Sequence, residues 1–178
     1  MWRFYKNIIQ LIISPDNGWV DIQQTSIPQR AMLGAIWMII VVAFSPLLHY
    51  VYGNDTMWLN VVKESIMILI SMGLTYFIAG MVMNTWIPKI NGGVENKDKV
   101  TIFAAYVTSL LSLQILITNI LPLSFAILTL WPVYVAVIMW RGMHYMDVDA
   151  RNTGKFMAVV ILSLIVPSQL LIKFFLIF

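Results

Sequence analysis

The sequence predicts an all-α membrane protein, in which a bundle of five transmembrane helices follows an amphipathic helix at the membrane surface. Two observations predict this fold class. Hydrophobic residues make up 60% of the 178 residues and charged residues only 11%, whereas soluble proteins average about 25% charged. The few charges are also nearly absent from four long stretches of the chain. A mean hydropathy of +0.84 is also typical of an integral membrane protein.

The low charge content also limits the possible partners. A net charge of +3 leaves no long basic face of the kind that binds nucleic acid, so no nucleic acid is expected. The chain has no cysteine, which excludes disulfides and zinc sites built on thiolates. We therefore expect membrane lipids as partners, with protein partners or a homo-oligomer as further options, and no cofactor.

Residues 2–13 are predicted to form an amphipathic helix lying in the plane of the membrane. An apolar stripe opposite a set of cations is typical of such interfacial helices, which anionic lipids attract. The apolar side comprises Trp2, Tyr5, Ile8, Ile9, Ile12 and Ile13, and the polar side comprises Arg3, Lys6, Asn7 and Gln10. Of these, the candidates for membrane anchoring are Trp2, Arg3, Tyr5, Lys6 and Ile9. The alternative is a short helix packed under the bundle.

A turn is expected after this helix, at residues 14–18, because Pro15 ends a helix and Gly18 can adopt a positive φ. The chain then divides into an N-terminal unit, residues 1–30, and a membrane domain, residues 31–178.

The membrane domain contains four apolar stretches, residues 31–52, 65–86, 100–140 and 156–178. Crossing a hydrocarbon core of about 30 Å takes roughly 20 helical residues, so the third stretch is about twice too long for one helix. Pro122 would break that stretch near its middle. The five predicted spans are residues 31–52, 65–86, 100–121, 123–140 and 156–178.

The positions of the basic residues predict the orientation, because cytoplasmic loops concentrate Lys and Arg. With five spans and a cytoplasmic N-terminus, nine of the 11 basic residues lie on the cytoplasmic side and only Lys63 and Lys173 lie on the exported side. The nine are Arg3, Lys6, Arg30, Lys89, Lys97, Lys99, Arg141, Arg151 and Lys155. Dividing the third stretch therefore gives the more asymmetric charge distribution, with the C-terminus on the exported side.

Small residues recur every four positions in two of the spans. At this spacing, small side chains let helix backbones approach closely within lipid. The second span carries Ser71, Thr75 and Ala79 beside Gly80, and the third carries Ala104, Thr108 and Ser112. We expect these helices to pack through the two faces, although a homodimer contact is an alternative.

The spans hold almost no ionisable residue that could do chemistry, which predicts a non-enzymatic protein. Within the loop of residues 144–155, His144, Asp147 and Asp149 form either a solvated cluster or a cation or phosphate site. Gln114 and Asn119 in the third span indicate an alternative function. Together with kinks at Pro132 and Pro167 they would line the polar path of a small channel or transporter.

Four passages of the sequence form a recognisable set: Ile12-Ile13-Ser14-Pro15 with Gly18-Trp19 and Ile22, Ala105-Tyr106, Trp131-Pro132-Val133-Tyr134 through Trp140-Arg141-Gly142, and Thr153-Gly154-Lys155-Phe156 with Pro167. Together these passages resemble the Yip family of membrane proteins, first described as Ypt-interacting proteins, in its short prokaryotic form. The resemblance implies five helices, a cytoplasmic N-terminus and a location in the cytoplasmic membrane of a prokaryote. Eukaryotic relatives contact Rab-type GTPases, but Ala105-Tyr106 replaces the usual Gly-Tyr pair, so this partner is not carried over.

Overall fold

The computed structural model describes residues 2–48, 58–90, 96–120, 128 and 130–177, and within these ranges the chain contains helices and turns but no strand. The α-helices are α1 Trp2–Ile13, α2 Pro15–Thr25, α3 Pro28–Ala43, α4 Trp58–Ile90, α5 Lys97–Ile120, α6 Trp131–Arg141, α7 Thr153–Val160 and α8 Val166–Ile177. A short 3₁₀ turn at Ala150–Asn152 and a π-helical segment at Ile161–Ile165 lie on either side of α7.

Helix α5 is the centre of the molecule. Every residue from Ile102 to Ser112 is buried, so this part of α5 has neither a solvent face nor a lipid face. The helix packs against α1, α3, α4, α6 and the π-helical segment. A helix that is apolar on all sides is stable when other helices surround it completely, and the small residues of α5 let these neighbours come close.

Hydrogen bonds at the two ends of the bundle show how the helices alternate in direction. Near α1 and α2, the Asn152 amide donates to the carbonyl of Ile90 (3.0 Å), so the end of α4 meets the start of α7. At the opposite end, Asn119 near the end of α5 donates to the hydroxyl of Ser45, just after α3 (2.6 Å). Consecutive long helices therefore run in opposite directions.

Three helical segments are long and apolar enough to cross a membrane: Trp58–Ile90, Lys97–Ile120 and Ala150–Leu171. They overlap the predicted spans 65–86, 100–121 and 156–178. The first is considerably longer than predicted, because a continuous helix extends beyond the apolar stretch in both directions.

The predicted span 31–52 is wrong as one unbroken helix. Helix α3 ends at Ala43 and a turn follows at residues 44–46. The Ser45 amide and hydroxyl both donate to the carbonyl of Val42, which tightens the end of the helix. Pro46 has no N–H to continue the helical hydrogen bonds, so the helix stops here. Residues 49–52 lie outside the described residues.

The predicted span 123–140 is described only in its second half, because residues 121–127 and 129 lie outside the described residues. Helix α6 begins at Trp131, with Pro132 in its first turn. The expected kink at Pro132 is therefore wrong, since the first turn of a helix accepts proline without losing a hydrogen bond. Pro167 is the second residue after the π-helical segment, in the first turn of α8, consistent with proline disturbing the regular hydrogen bonds before it.

The turn expected at residues 14–18 is also wrong. Pro15 begins α2, and Gly18 is helical within it. Proline at the first position of a helix is favoured because its missing N–H would have no partner there. The N-terminal region is therefore a pair of helices, α1 and α2, rather than one helix and a loop.

Candidate functional site

Helices α1 and α2 form a tight hairpin, which we call the N-terminal hairpin (residues 2–25). The two helices touch at Leu11 and Gly18. A Cβ atom added to Gly18 would lie 2.9 Å from the Cα atom of Leu11, closer than two carbon atoms can pack. A glycine is therefore required for the two helices to meet here.

One face of α1 is buried against the rest of the protein, through Phe4, Ile8, Leu11 and Asn7. Asn7 was expected on the polar side of the helix, yet it is only 6% exposed. A second, mostly apolar face of α1 is exposed. We call it the exposed edge; its apolar residues are Trp2 (82% exposed), Ile9 (57%) and Ile13 (78%).

Four of the five anchoring candidates are therefore exposed, and the fifth is partly buried. Trp2 and Ile9 lie on the exposed edge, Arg3 and Lys6 are also exposed, and Tyr5 is half-buried. Helix α1 thus both packs against the bundle and presents apolar and cationic side chains outward. The packing of this helix against the bundle is therefore shown, whereas its position in the membrane interface remains a prediction.

Asn7 joins the N-terminal hairpin to the central helix through a buried polar cluster. Its amide nitrogen donates to the hydroxyl of Tyr106 on α5 (3.1 Å), and the Tyr106 hydroxyl lies 2.9 Å from the hydroxyl of Ser26. Tyr106 is 2% exposed, and the Asn7 amide also donates to the hydroxyl of Thr25 (3.3 Å). If either Asn7 or Tyr106 is replaced, the other therefore loses one buried hydrogen bond but keeps a second partner.

Aromatic rings attach the second helix of the hairpin. The Trp19 ring stacks on Phe103 of α5 (4.9 Å between centroids) and on Tyr145 (5.2 Å), and Phe103 meets Phe156 edge to face. Gly142 makes room for the stack. A Cβ atom there would lie 2.7 Å from atoms of both the Trp19 and Phe103 rings.

Helix α6 accepts one hydrogen bond from the N-terminal hairpin, donates another to it and forms one ion pair with it. The Trp19 indole N–H donates to the carbonyl of Ile138 (2.9 Å). The Tyr134 hydroxyl donates to the carbonyl of Ile12 at the end of α1 (2.5 Å). Arg141 pairs with Asp16 of α2 at 3.4 Å. Both helices of the hairpin are therefore bonded to α6.

The ionisable residues of the loop after α6 do not gather into one cluster. In the described ranges, no group of three or more His, Asp or Glu side chains lies close enough to hold a metal ion. Asp147 has a φ of 54° and pairs with Lys99 on α5, while His144 and Asp149 are exposed. Tyr145, between Trp19 and the Lys99 ammonium, is buried, and this burial raises the pKa of its hydroxyl.

Both faces of small residues are buried. On α4, Ser71, Thr75 and Ala79 have no solvent exposure, and Gly80 beside them is half-buried with open space around its Cα. On α5, Thr108 and Ser112 likewise have no solvent exposure, and Ala104 is 1% exposed. Helices α4 and α5 pack on each other. The pairing of the two faces, and the alternative homodimer contact, remain predictions.

Gln114 and Asn119 both bond across the end of the bundle opposite the N-terminal hairpin. The Gln114 amide donates to the carbonyl of Leu128 (3.0 Å), and its amide oxygen is buried with no partner in the described ranges. Asn119 donates to Ser45, as described above. The two residues lie on the same helix but bond to different segments.

The residues that join the N-terminal hairpin to the bundle were present in the sequence, but their roles were not predicted. Trp19, Tyr106 and Gly142 were quoted only as points of family resemblance. A usable signal existed for α2, because Pro15, Gly18, Trp19 and Ile22 suit a helix that starts at Pro15 and buries one face. No local pattern indicated that this face would meet Phe103.

The long apolar helices and the apolar, cation-bearing hairpin define a helical integral membrane protein. Residues 9–172 match the model of the Yip1 domain, and the chain therefore belongs to the Yip family. No curated protein and no solved structure matches the chain. The matched range begins within α1 and includes α2, so it spans most of the N-terminal hairpin as well as the bundle.

Proposed function

We propose that the protein is a non-enzymatic Yip-type protein that organises lipids or protein partners at the cytoplasmic face of a prokaryotic cell membrane. The observation that carries this proposal is the exposed edge of α1. Trp2, Ile9 and Ile13 stay exposed although the opposite face of the same helix is firmly packed. A docked helix that keeps large apolar residues outward is suited to contact lipid or another protein.

In this proposal the membrane domain, residues 31–178, crosses the membrane five times, and residues 1–30 form the cytoplasmic unit. The alternating helix directions support five crossings. The orientation is supported by charge: the end of the bundle near the N-terminal hairpin carries Lys89, Lys99 and Arg141, together with Arg3 and Lys6 of the hairpin itself. A cytoplasmic position for this end follows the usual distribution of basic residues.

The test compares wild-type protein with a Trp2→Ser/Ile9→Ser/Ile13→Ser variant. These substitutions remove the exposed edge and leave the buried face of α1 intact. Both proteins are released from cell membranes in nanodiscs and analysed by native mass spectrometry. We expect the wild type to retain defined lipids or a protein partner and the variant to lose them.

The control is Val20→Ser, which changes an exposed apolar residue of α2 (51% exposed) outside the edge. Its spectrum should match that of the wild type. If the wild type and the edge variant retain the same lipids and the same protein partners after release, the exposed edge does not bind them and the proposal is wrong.

A small channel or transporter is the second candidate function, and one observation favours it. Serine and threonine hydroxyls inside helices commonly bond to the carbonyl four residues earlier, as Thr75 and Ser109 do. Ser71, Thr108 and Ser112 are buried and make no such bond in the described ranges. Buried hydroxyls without partners suit water or a solute between α4 and α5.

This second function is tested by flux into proteoliposomes. Solute uptake that falls in a Gln114→Leu variant and persists in the edge variant would support a path through the bundle. Equal flux in protein-free vesicles would dismiss it.

A further inference from the structure

A cavity of about 330 Å³ opens where the start of α1, the end of α2 and the start of α3 meet. Its walls include the buried polar cluster described above, Asn7, Ser26 and Tyr106, together with two arginines. Ligand pockets usually begin at about 300 Å³. The space is therefore enough for a small polar group but not for a large molecule.

The two arginines give the cavity a positive charge. Arg3 belongs to the first turn of α1 and Arg30 to the first turn of α3, and both line the cavity. Neither guanidinium forms an ion pair or a hydrogen bond with the described part of the chain. No acidic residue lines the cavity. Two positive charges thus share one space with no counterion among the described residues, which favours an anionic ligand.

The polar cluster has a proton left to donate. Tyr106 and Ser26 carry two hydroxyl protons, and one of them occupies the hydrogen bond between the two oxygens (2.9 Å). The Asn7 amide nitrogen is a donor to the Tyr106 hydroxyl oxygen, so this contact does not use either of the two hydroxyl protons. One hydroxyl proton therefore has no acceptor among the described residues, while both oxygens belong to side chains that line the cavity.

The start of α3 adds to the positive potential. Ile27 precedes the helix and provides no side-chain cap, and Pro28 has no N–H. The free backbone N–H groups of the next residues and the positive end of the helix dipole therefore lie beside Arg30. Guanidinium groups, a hydroxyl donor and a helix N-terminus are together suited to the oxygens of a phosphate.

Apolar residues at the rim indicate where this phosphate comes from. Trp2 (82% exposed) and Ile27 (46% exposed) both line the cavity. Beyond them, α3 presents exposed Leu33 and Trp37 along its length. A phosphate in the cavity would therefore have an apolar surface directly next to it, as a phospholipid requires for its acyl chains.

We propose that this cavity binds the headgroup phosphate of an anionic phospholipid between Arg3 and Arg30. The inference rests on the proposed function, because it needs the N-terminal hairpin to lie at the depth of the lipid headgroups. It goes further in naming one ligand class and one site. The bound lipid would bridge α1 and α3 and so help to hold the N-terminal hairpin on the bundle.

The test measures lipid binding to the purified full-length protein in detergent by native mass spectrometry, with phosphatidylglycerol and phosphatidylcholine of matched chains as probes. We expect the wild type to prefer phosphatidylglycerol. The Arg3→Gln/Arg30→Gln variant should bind it about tenfold more weakly, because charge-assisted hydrogen bonds to phosphate are strong enough for such a change. Binding of phosphatidylcholine should change less.

Two controls separate the site from general charge and from misfolding. Arg151→Gln removes an exposed cation near the same end of the bundle that does not line the cavity, and it should keep the preference. Arg3→Lys/Arg30→Lys retains the charge, and should keep part of the preference with an unchanged melting temperature. An equal loss in the Arg151→Gln variant would overturn the site in favour of diffuse surface charge.

The remaining outcomes are also decisive. Wild-type binding in the Arg3→Gln/Arg30→Gln variant would overturn the site, but the proposed function would stand if the edge variant still loses its lipids or partner. If the edge variant loses nothing either, the proposed function fails as well. Displacement of the lipid by excess soluble glycerol phosphate would show a site for a free anion and overturn the assignment to lipid.

Discussion

The Trp19 ring of α2 stacks on the Phe103 ring of α5 with 4.9 Å between centroids and 10° between ring planes. The contact connects the N-terminal hairpin to the central helix at a point where both side chains are buried. Stacked aromatic pairs contribute about 0.5–1.5 kcal/mol beyond the burial of their surface. This pair is therefore expected to decide whether the hairpin stays docked.

A Trp19→Leu substitution should undock the hairpin. It removes the stack and the hydrogen bond to Ile138, and the loss in free energy of unfolding should be about 3 kcal/mol, within the range for large aromatic truncations. Thermal unfolding in detergent measures this loss, and protease sensitivity near residues 14–25 shows its location. Trp19→Phe keeps a ring and should lose roughly half as much. Equal stability of wild type and Trp19→Leu would contradict the role given to the stack.

Gly142→Ala tests how closely the helices approach beneath that stack. The new methyl group would lie 2.7 Å from both aromatic rings, and such overpacking costs about 1–3 kcal/mol. Gly154→Ala is the matched control, because a Cβ there meets nothing within 4 Å, and alanine is the better helix former. We expect a lower melting temperature for the first variant only. A similar change in both would mean that the effect comes from the backbone and not from the rings.

Asn7 and Tyr106 should be energetically coupled through their 3.1 Å hydrogen bond. Each of Asn7→Ala and Tyr106→Phe should lower the free energy of unfolding by roughly 0.5–1.5 kcal/mol, the usual contribution of one hydrogen bond, because the remaining residue keeps Ser26 or Thr25 as a partner. The double variant should lose less than the sum, since contacting residues couple by about 0.5–3 kcal/mol. Unfolding of all four proteins in denaturant measures this cycle. Strictly additive losses would show that the bond contributes no coupling.

Labelling with a thiol reagent tests five crossings, and the chain suits it because it has no cysteine of its own. We expect His144→Cys to react with an impermeant maleimide only after the cells are opened, and Gly53→Cys to react in intact spheroplasts. The unsubstituted protein should not react at all. Labelling of both cysteines from the same side would require an even number of crossings between them and would reject the topology.

The stability of the protein should fall at high pH because of Tyr145. Burial, followed by the charges of Tyr106, Asp147 and Asp98, raises the pKa of this hydroxyl above its ordinary value of 10.0. Above pH 10 the unfolded chain would lose the proton while the folded chain keeps it, so the folded state becomes less favourable as pH rises. Tyr145→Phe should remove roughly 1 kcal/mol of the loss between pH 8 and pH 11. The measurement is the melting temperature of both proteins from pH 8 to pH 11. If it falls by the same amount in the wild type and in Tyr145→Phe, the assignment to Tyr145 is contradicted.

The sequence was sufficient for the features that arise from local composition and periodicity. The apolar stretches predicted the long helices, because a run of about 20 uncharged residues has few stable alternatives to a buried or membrane-spanning helix. The helix over residues 2–13 followed from its amphipathic pattern, and the family resemblance agrees with the Yip1 domain match.

Two local patterns were misread because proline has opposite effects at different positions. Pro15 and Pro132 were treated as helix breakers, but both lie in the first turn of a helix, where proline is favoured. Pro46 does stop a helix, and this shortened the first predicted span. Only the hydrogen bonds of the neighbouring residues distinguish these cases.

The sequence by itself determined that this is an all-helical membrane protein, with small residues on two long helices and cations gathered toward one end. The tertiary structure decided which faces meet: it buried Asn7 against Tyr106, placed Gly142 under the Trp19 stack, and brought Arg3 and Arg30 to one cavity. These contacts join residues far apart in the chain. Periodicity describes the faces of one helix, whereas the partner of each face depends on how all the helices fill space together.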